Sequence, residues 1–184
     1  GLGERFDRLE EQLEIITGMW STAMGETFDF AGSHYSVSDS PGLPKPTQSP
    51  LPIIIGGEGP KRTPSLAARF ASEYNAPFNS LEVFEERVAR VRAACEAIDR
   101  DPDSLLYSTA LVTVCGADEA EFSRRAAAIG GDPDRLREIG IAGTIDEVRA
   151  KAETWRETAD RIHLQILDLG DLDHLDLIAA TLGD

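Results

Sequence analysis

From Ile53 to the carboxyl terminus, short β-branched runs alternate with helical stripes, and this alternation restricts the chain to a few folds. Ile53-Ile54-Ile55 has no polar interruption, as expected of a parallel strand covered on both faces. Helical spacing returns at Thr63, a suitable N-cap, followed by Pro64 at the first helical position and by Leu66, Ala67 and Phe70. "ASEYNAPF" reads as a short strand and loop, and the helix from Ser80 to about Ile98 carries Phe84, Val88, Val91, Cys95 and Ile98 on one stripe. Asp101-Pro102-Asp103 breaks that helix, and "LLYSTALVTVCG" is a strand ending at Gly116. A helix over about 118–129 follows, then a polar "GGDPDR" turn and the short apolar "LREIGIAG". Thr144-x-x-Glu147 is a capping box that opens a helix over about 145–159, after which "RIHLQILDL" is a strand and "LDHLDLIAATL" a closing helix. Four strand–helix units over 53–184 predict a parallel sheet with its helices outside. They fit a small open sheet or half of an eight-stranded barrel, since a complete barrel takes about 250 residues.

The segment before Ile53 has a different character. Residues 4–20 place Phe6, Leu9, Leu13, Ile16 and Trp20 at steps of three and four, so a helix over 1–24 presents an apolar face that must pack on something. In residues 25–52, Phe28 and Phe30 and, beyond Gly32, Tyr35 and Val37 alternate as a hairpin does. "PGLPKPTQSPLP" follows with five prolines in twelve residues, too poor in N–H donors for a helix or central strand, and reads as an extended connector. That opening helix has no strand before it, which favours the half-barrel and suggests a piece of a longer chain.

Charge and composition narrow the partners. Lys and Arg number 18 against 33 Asp and Glu, a net charge of −15, which argues against a nucleic-acid or anionic-membrane partner. No apolar run reaches the ~18 residues a spanning helix needs, and the first residues lack a signal-peptide pattern, so a cytoplasmic location is expected. Cys95 and Cys115 are too few for a disulfide framework or a zinc site and read as core residues.

Gly56-Gly57-Glu58-Gly59 sits between the strand at Ile53 and the helix start at Thr63. At such a junction the first backbone N–H groups of the helix have no partner, and the helix dipole attracts an anion. Glycine lets the backbone approach a phosphate closely, the Thr63 hydroxyl can donate to it or cap its own helix, and Lys61 and Arg62 add positive charge. A tight βα turn with no ligand explains the same glycines about equally well, because no complete Walker or dinucleotide fingerprint is present.

Taken in order, "ERFDRLEEQLEIITGMW", "FDFAGSHYSV", "PKPTQSPLPIIIGGEGPKRT", "AARFASEYN" and "GTIDEV" resemble the second half of the bacterial luciferase-like flavin and deazaflavin oxidoreductases. The resemblance covers nearly the whole chain and rests on the ordered series of motifs. It implies the carboxyl-terminal half of a (β/α)8 TIM barrel that binds the deazaflavin coenzyme F420, or alternatively FMN, at the carboxyl ends of its strands. It implies that Gly56, Gly57, Glu58 and Gly59 meet the cofactor phosphate through backbone amides, that Thr63 is the neighbouring hydroxyl, and that Asn75, at the mouth of the next strand, also binds the cofactor. Ser72-Glu73-Tyr74 departs from the family's usual Asp-Gly-Trp and leans toward the deazaflavin branch. The family's catalytic positions belong to the first four units, so no catalytic residue is assigned here.

The expected activity is therefore hydride transfer between a deazaflavin and a small organic substrate, with an FMN-dependent monooxygenase as the alternative. The expected partner is the missing amino-terminal half of the barrel, with a homodimer as a further option. A reading of another class is a non-catalytic half-barrel that binds a phosphate ligand or a partner subunit and covers its strand edges by dimerising. His34, His163 and His174 have no carboxylate or cysteine at ligand spacing, which points away from a metal site. Asp168, Asp171, Asp173 and Asp176 read as capping and solvated residues, with Asp171 or Asp173 as an N-cap, and Glu10-Glu11-Glu14 and Glu82-Glu85-Glu86 as solvated helix faces.

Overall fold

A computed structural model describes residues 1–183. Helix α1 (Leu2–Ser21) leads into strands β1 (Phe28–Ala31) and β2 (Ser36–Ser40), an antiparallel hairpin that pairs Phe30 with Val37. The proline-rich segment after it forms no helix or strand. Then come β3 (Ile54–Gly56), α2 (Arg62–Phe70), β4 (Glu73–Asn75), α3 (Leu81–Glu96) and β5 (Leu106–Gly116). The remainder is α4 (Glu119–Ala128), α5 (Pro133–Ile139), β6 (Ile141–Thr144), α6 (Ile145–Arg156), β7 (Arg161–Gln165) and α7 (Leu172–Leu182).

All pairings in the main sheet are parallel, and β3, β4, β5 and β7 lie side by side in that order. The strands of this row keep their chain order in space, with β6 branching from the far end of β5, and all connections run through helices; that makes the αβ layer of a barrel segment and not a doubly wound sheet, whose order reverses. The eleven-residue β5 organises the whole. Its residues 106–108 pair with β4, residues 108–112 with β7, and residues 113–116 with β6.

The register sorts side chains onto two faces. Ile55, Tyr74, Tyr107 and Leu111 share one face, buried together with Phe84, Val91 and Cys95 of α3 and Trp155 of α6. Phe84 meets Trp155 edge to face with centroids 5.4 Å apart, a favoured aromatic geometry. Beyond residue 112 the other face of β5 is covered too, by a smaller cluster of Val114, Phe122, Ala126, Leu136 and Ala142. Both cysteines are fully buried and free, as core residues.

Four expectations need correction. Ile54 is 53% exposed, so the first strand is covered on one face only, and strand geometry begins at Ile54 because Ile53 gives its carbonyl to the Ser72 and Glu73 N–H groups. The N-cap of α2 is Lys61, not Thr63; Pro64 stands two residues further in, where the missing N–H costs nothing because the first-turn amides lack acceptors anyway. The stretch read as turn and apolar run holds α5, capped by Asp132, and β6, a strand too short to show a period in sequence. Finally, the glutamates of α1 are not merely solvated. Glu11 accepts the N–H groups of Ser33, His34 and Tyr35 at 2.7–2.9 Å, and Glu10 and Glu14 pair with Arg62 and Arg69 of α2. Polar contacts therefore anchor α1, whose apolar stripe buries only Leu13 fully.

The capping box of α6 is formed as expected, and Glu147 also takes two bonds from Arg137. The Arg137 guanidinium and the Thr144 N–H hold the Glu147 carboxyl down at about 2, against an ordinary 4.5. A depressed carboxyl stabilises the fold above its unfolded pKa, and that contribution is lost as pH falls through the folded value. Glu147→Gln is thus expected to lower the urea midpoint at pH 7, with the gap from wild type shrinking as pH falls from 4.5 toward 2. A gap that stays constant across that range contradicts the assignment.

Candidate functional site

Parallel strands with helical crossovers bring every βα turn to one end of the sheet, so the turn after β3, the end of β4 and the middle of β5 are neighbours. The register pairs Gly56 with Asn75 and Asn75 with Ser108. Asn75 Nδ2 donates to Ser108 Oγ at 2.9 Å. The Asn75 carbonyl accepts the Gly57 N–H at 3.3 Å, and the Tyr74 hydroxyl donates to the Gly57 carbonyl at 2.9 Å. Gly57 is therefore clamped from two sides at φ +141°, a conformation in which any side chain is strained.

These bonds leave specific donors free. The Gly57 amide is engaged, whereas the N–H groups of Glu58 and Gly59, and those that open α2, meet no acceptor among the described residues. Thr63 is 4% exposed and its hydroxyl makes no hydrogen bond among the described residues. That hydroxyl faces the turn: a Cβ built on Gly59 would stand 3.0 Å from Thr63 Oγ1, and one on Gly57 would stand 3.4 Å from it. A set of free backbone donors, an unbonded hydroxyl and a helix amino end is chemistry for an anion. The same observation tests the fit of a phosphate-bearing cofactor, and the donor set matches its phosphate.

Of the two cations read from sequence, Arg62 is not available to such an anion. It bonds the Gly3 carbonyl, Asp7 at 2.5 Å and Glu10 at 3.1 Å, all on α1. Lys61 is exposed beside the turn. Arg87 of α3 was missed: it lies 3.2 Å from Glu58 in the turn, and no local sequence pattern links two positions on different units.

The open face of the sheet carries a second polar group that sequence reading did not find. Glu73 is 3% exposed and bonds both Arg161 and His163 Nε2, the latter at 3.1 Å. Burial pushes the Glu73 carboxyl up, but the neighbouring Ser108 hydroxyl, the His163 ring and the Arg161 charge outweigh it and hold it below the usual range. His163 thus points to the open face and not to a helix. His174 is structural: it is buried, accepts the Cys115 N–H at 2.9 Å, and burial lowers its pKa. Asp171 caps α7, as expected, and pairs with the buried Arg125 at 3.0 Å. A cavity of about 550 Å³ between α1 and the proline-rich connector lies near Ile53 and Ser72, at the opposite end of the strands from the glycine turn.

Comparison with known proteins bears on this geometry. A family model described as "Luciferase-like monooxygenase" matches residues 1–184. An F420-dependent glucose-6-phosphate dehydrogenase of Microbacterium testaceum is 42% identical over 71 residues, 39% of this chain and 20% of that protein. An FMNH(2)-dependent dimethylsulfone monooxygenase of Pseudomonas putida is 32% identical over 94 residues, 51% of this chain and 25% of that protein. Among solved structures, an F420-dependent secondary alcohol dehydrogenase in complex with an F420-acetone adduct superposes with a TM-score of 0.79 at 13% identity, covering 99% of this chain and 63% of that one. The EDTA monooxygenase of Chelativorans sp. BNC1 gives 0.77 at 20% identity, with coverages of 97% and 60%. The matched regions thus span less than two thirds of the relatives' own length.

Glu73→Gln removes the charge shared by Arg161 and His163. It is expected to cost about 1–3 kcal/mol in urea unfolding at pH 7, the range for a buried hydrogen-bonded group that loses its partner. An unchanged midpoint would show that the open-face cluster does not hold the strands together.

Proposed function

The chain belongs to the luciferase-like monooxygenase family, and from that premise we propose that it forms the phosphate-binding half of a (β/α)8 oxidoreductase. In this reading the cofactor is the deazaflavin coenzyme F420, and the reaction moves a hydride between it and a small organic substrate. When bound, the cofactor supplies the redox chemistry. The residues of this chain bind and orient it: the N–H groups of Glu58 and Gly59 and the Thr63 hydroxyl take the phosphate, Gly56 and Gly57 shape the turn, and Asn75 holds the turn against β5. The observation that carries the reading is the unpartnered Thr63 hydroxyl, on a residue only 4% exposed, facing a turn whose amides are free.

Support for closure into a barrel comes from the strand edges. β3 and β7 end the row β3, β4, β5, β7, and the open face exposes Ile54 at 53% and Leu106 at 42%. Four further strands from an amino-terminal half would cover that face and pair both edges, and a homodimer would do so less completely. An FMN-dependent monooxygenase is the second reading, favoured by the 32% identity to the Pseudomonas putida enzyme. Titrating the full-length protein with each cofactor separates the two.

Gly57→Val places a branched side chain at φ +141° with its Cβ against Thr63. The variant of the full-length protein is expected to bind cofactor at least about tenfold more weakly, from backbone strain in the turn. Wild-type affinity in that variant contradicts the cradle.

A further inference from the structure

Arg87 stands out among the charged side chains of the described residues. It sits on the second turn of α3, its side chain is 14% exposed, and its Nη1 is buried without a hydrogen-bond acceptor. A buried guanidinium nitrogen without an acceptor forgoes a charge-assisted bond, and such groups are normally satisfied. The nearest opposite charge is Glu58 Oε1 at 3.2 Å, close enough for attraction but not aligned to accept an N–H from Nη1. Glu58 itself is 61% exposed and belongs to the glycine turn. An ion pair with one solvated, misaligned partner contributes little to stability and exchanges readily.

The turn next to this pair has free amides and the unpartnered Thr63 hydroxyl. We infer that Arg87 is a further ligand of the phosphate bound at this turn, and that the Glu58 carboxylate covers it until the phosphate displaces that carboxylate. The inference rests on the phosphate reading given above and adds a cation to a site otherwise built of neutral donors. A planar guanidinium presents paired N–H groups that match two phosphate oxygens, and a solvated carboxylate that is not aligned with them does not rival that match. Glu58 then has two separate tasks: its backbone N–H remains a donor to the anion, and its side chain keeps the empty site from carrying an uncompensated positive charge. Displacement also makes binding selective for a phosphate, whose paired oxygens match the guanidinium, over weaker anions that must compete with the carboxylate for the same guanidinium.

The test compares phosphate-bearing and phosphate-free probes on the full-length protein: FMN against riboflavin, and the deazaflavin coenzyme against its phosphate-free 8-hydroxy-5-deazaflavin nucleoside. Arg87→Gln should weaken the phosphate-bearing probe about tenfold, the order of one charge-assisted bond, while leaving the phosphate-free probe unchanged. Glu58→Gln keeps the backbone donor and removes the competing charge, so it should tighten the phosphate-bearing probe severalfold and not the other. Equal losses for both probes in Arg87→Gln would assign Arg87 a structural role and overturn the inference. Unchanged binding in Arg87→Gln, with a large loss in Gly57→Val, overturns it while the glycine cradle stands. No phosphate-dependent loss in either variant overturns the cradle together with it.

Discussion

The parallel pairing of one long strand, β5, governs the architecture. Eleven residues of backbone N–H and C=O groups must find partners, and they do so with three different strands along their length. Parallel partners cannot be joined by tight turns, so each connection runs back through a helix and the βα turns gather at one end. The functional geometry follows from that arrangement. The glycine turn, Asn75 and the paired Ser108 are adjacent because the register of β3, β4 and β5 puts them there, and not because they are close in sequence.

Two kinds of force share the work around this sheet. On the helix-covered face, apolar burial dominates, with Tyr74, Phe84, Leu111 and Val91 almost entirely removed from water. On the outside, arginines tie elements together. Arg100 donates to the carbonyls of Ala68 and Ala71 at the end of α2, Arg125 joins Cys115 to Asp171, and Arg62 and Arg69 hold α1. In a chain with net charge −15 each arginine meets an excess of acceptors, so it is notable that Arg87 retains an unbonded nitrogen.

Much of this was legible in sequence where the signal is local. The α3 stripe from Phe84 to Cys95, the helix start at Ser80, the Thr144 cap, the alternation of Phe28 and Phe30, and the strand ending at Gly116 all appear in the structure because each depends on a few successive residues, whereas Ile98, expected on the stripe, lies past the end of α3 and is 49% exposed. The ordered motifs also pointed to the right family and to an α/β barrel architecture. What escaped reading depends on register or distance. β6 is four residues long, and its pairing with β5 has no local signature. Glu73 sits 88 residues from Arg161, and nothing in "ASEYN" shows that β7 will bring a cation and a histidine to it. Thr63 looked like a cap because caps are the commonest use of threonine at a helix start; the cap position falls at Lys61, and the Thr63 hydroxyl faces the glycine turn.

The most direct measurement is an experimental structure of the full-length protein with its phosphate-bearing cofactor. The account predicts the phosphate at the carboxyl end of β3, within hydrogen-bond distance of the Glu58 and Gly59 amides and Thr63 Oγ1, at the amino end of α2. A phosphate bound elsewhere, with the Thr63 hydroxyl and those amides facing only solvent, would contradict it.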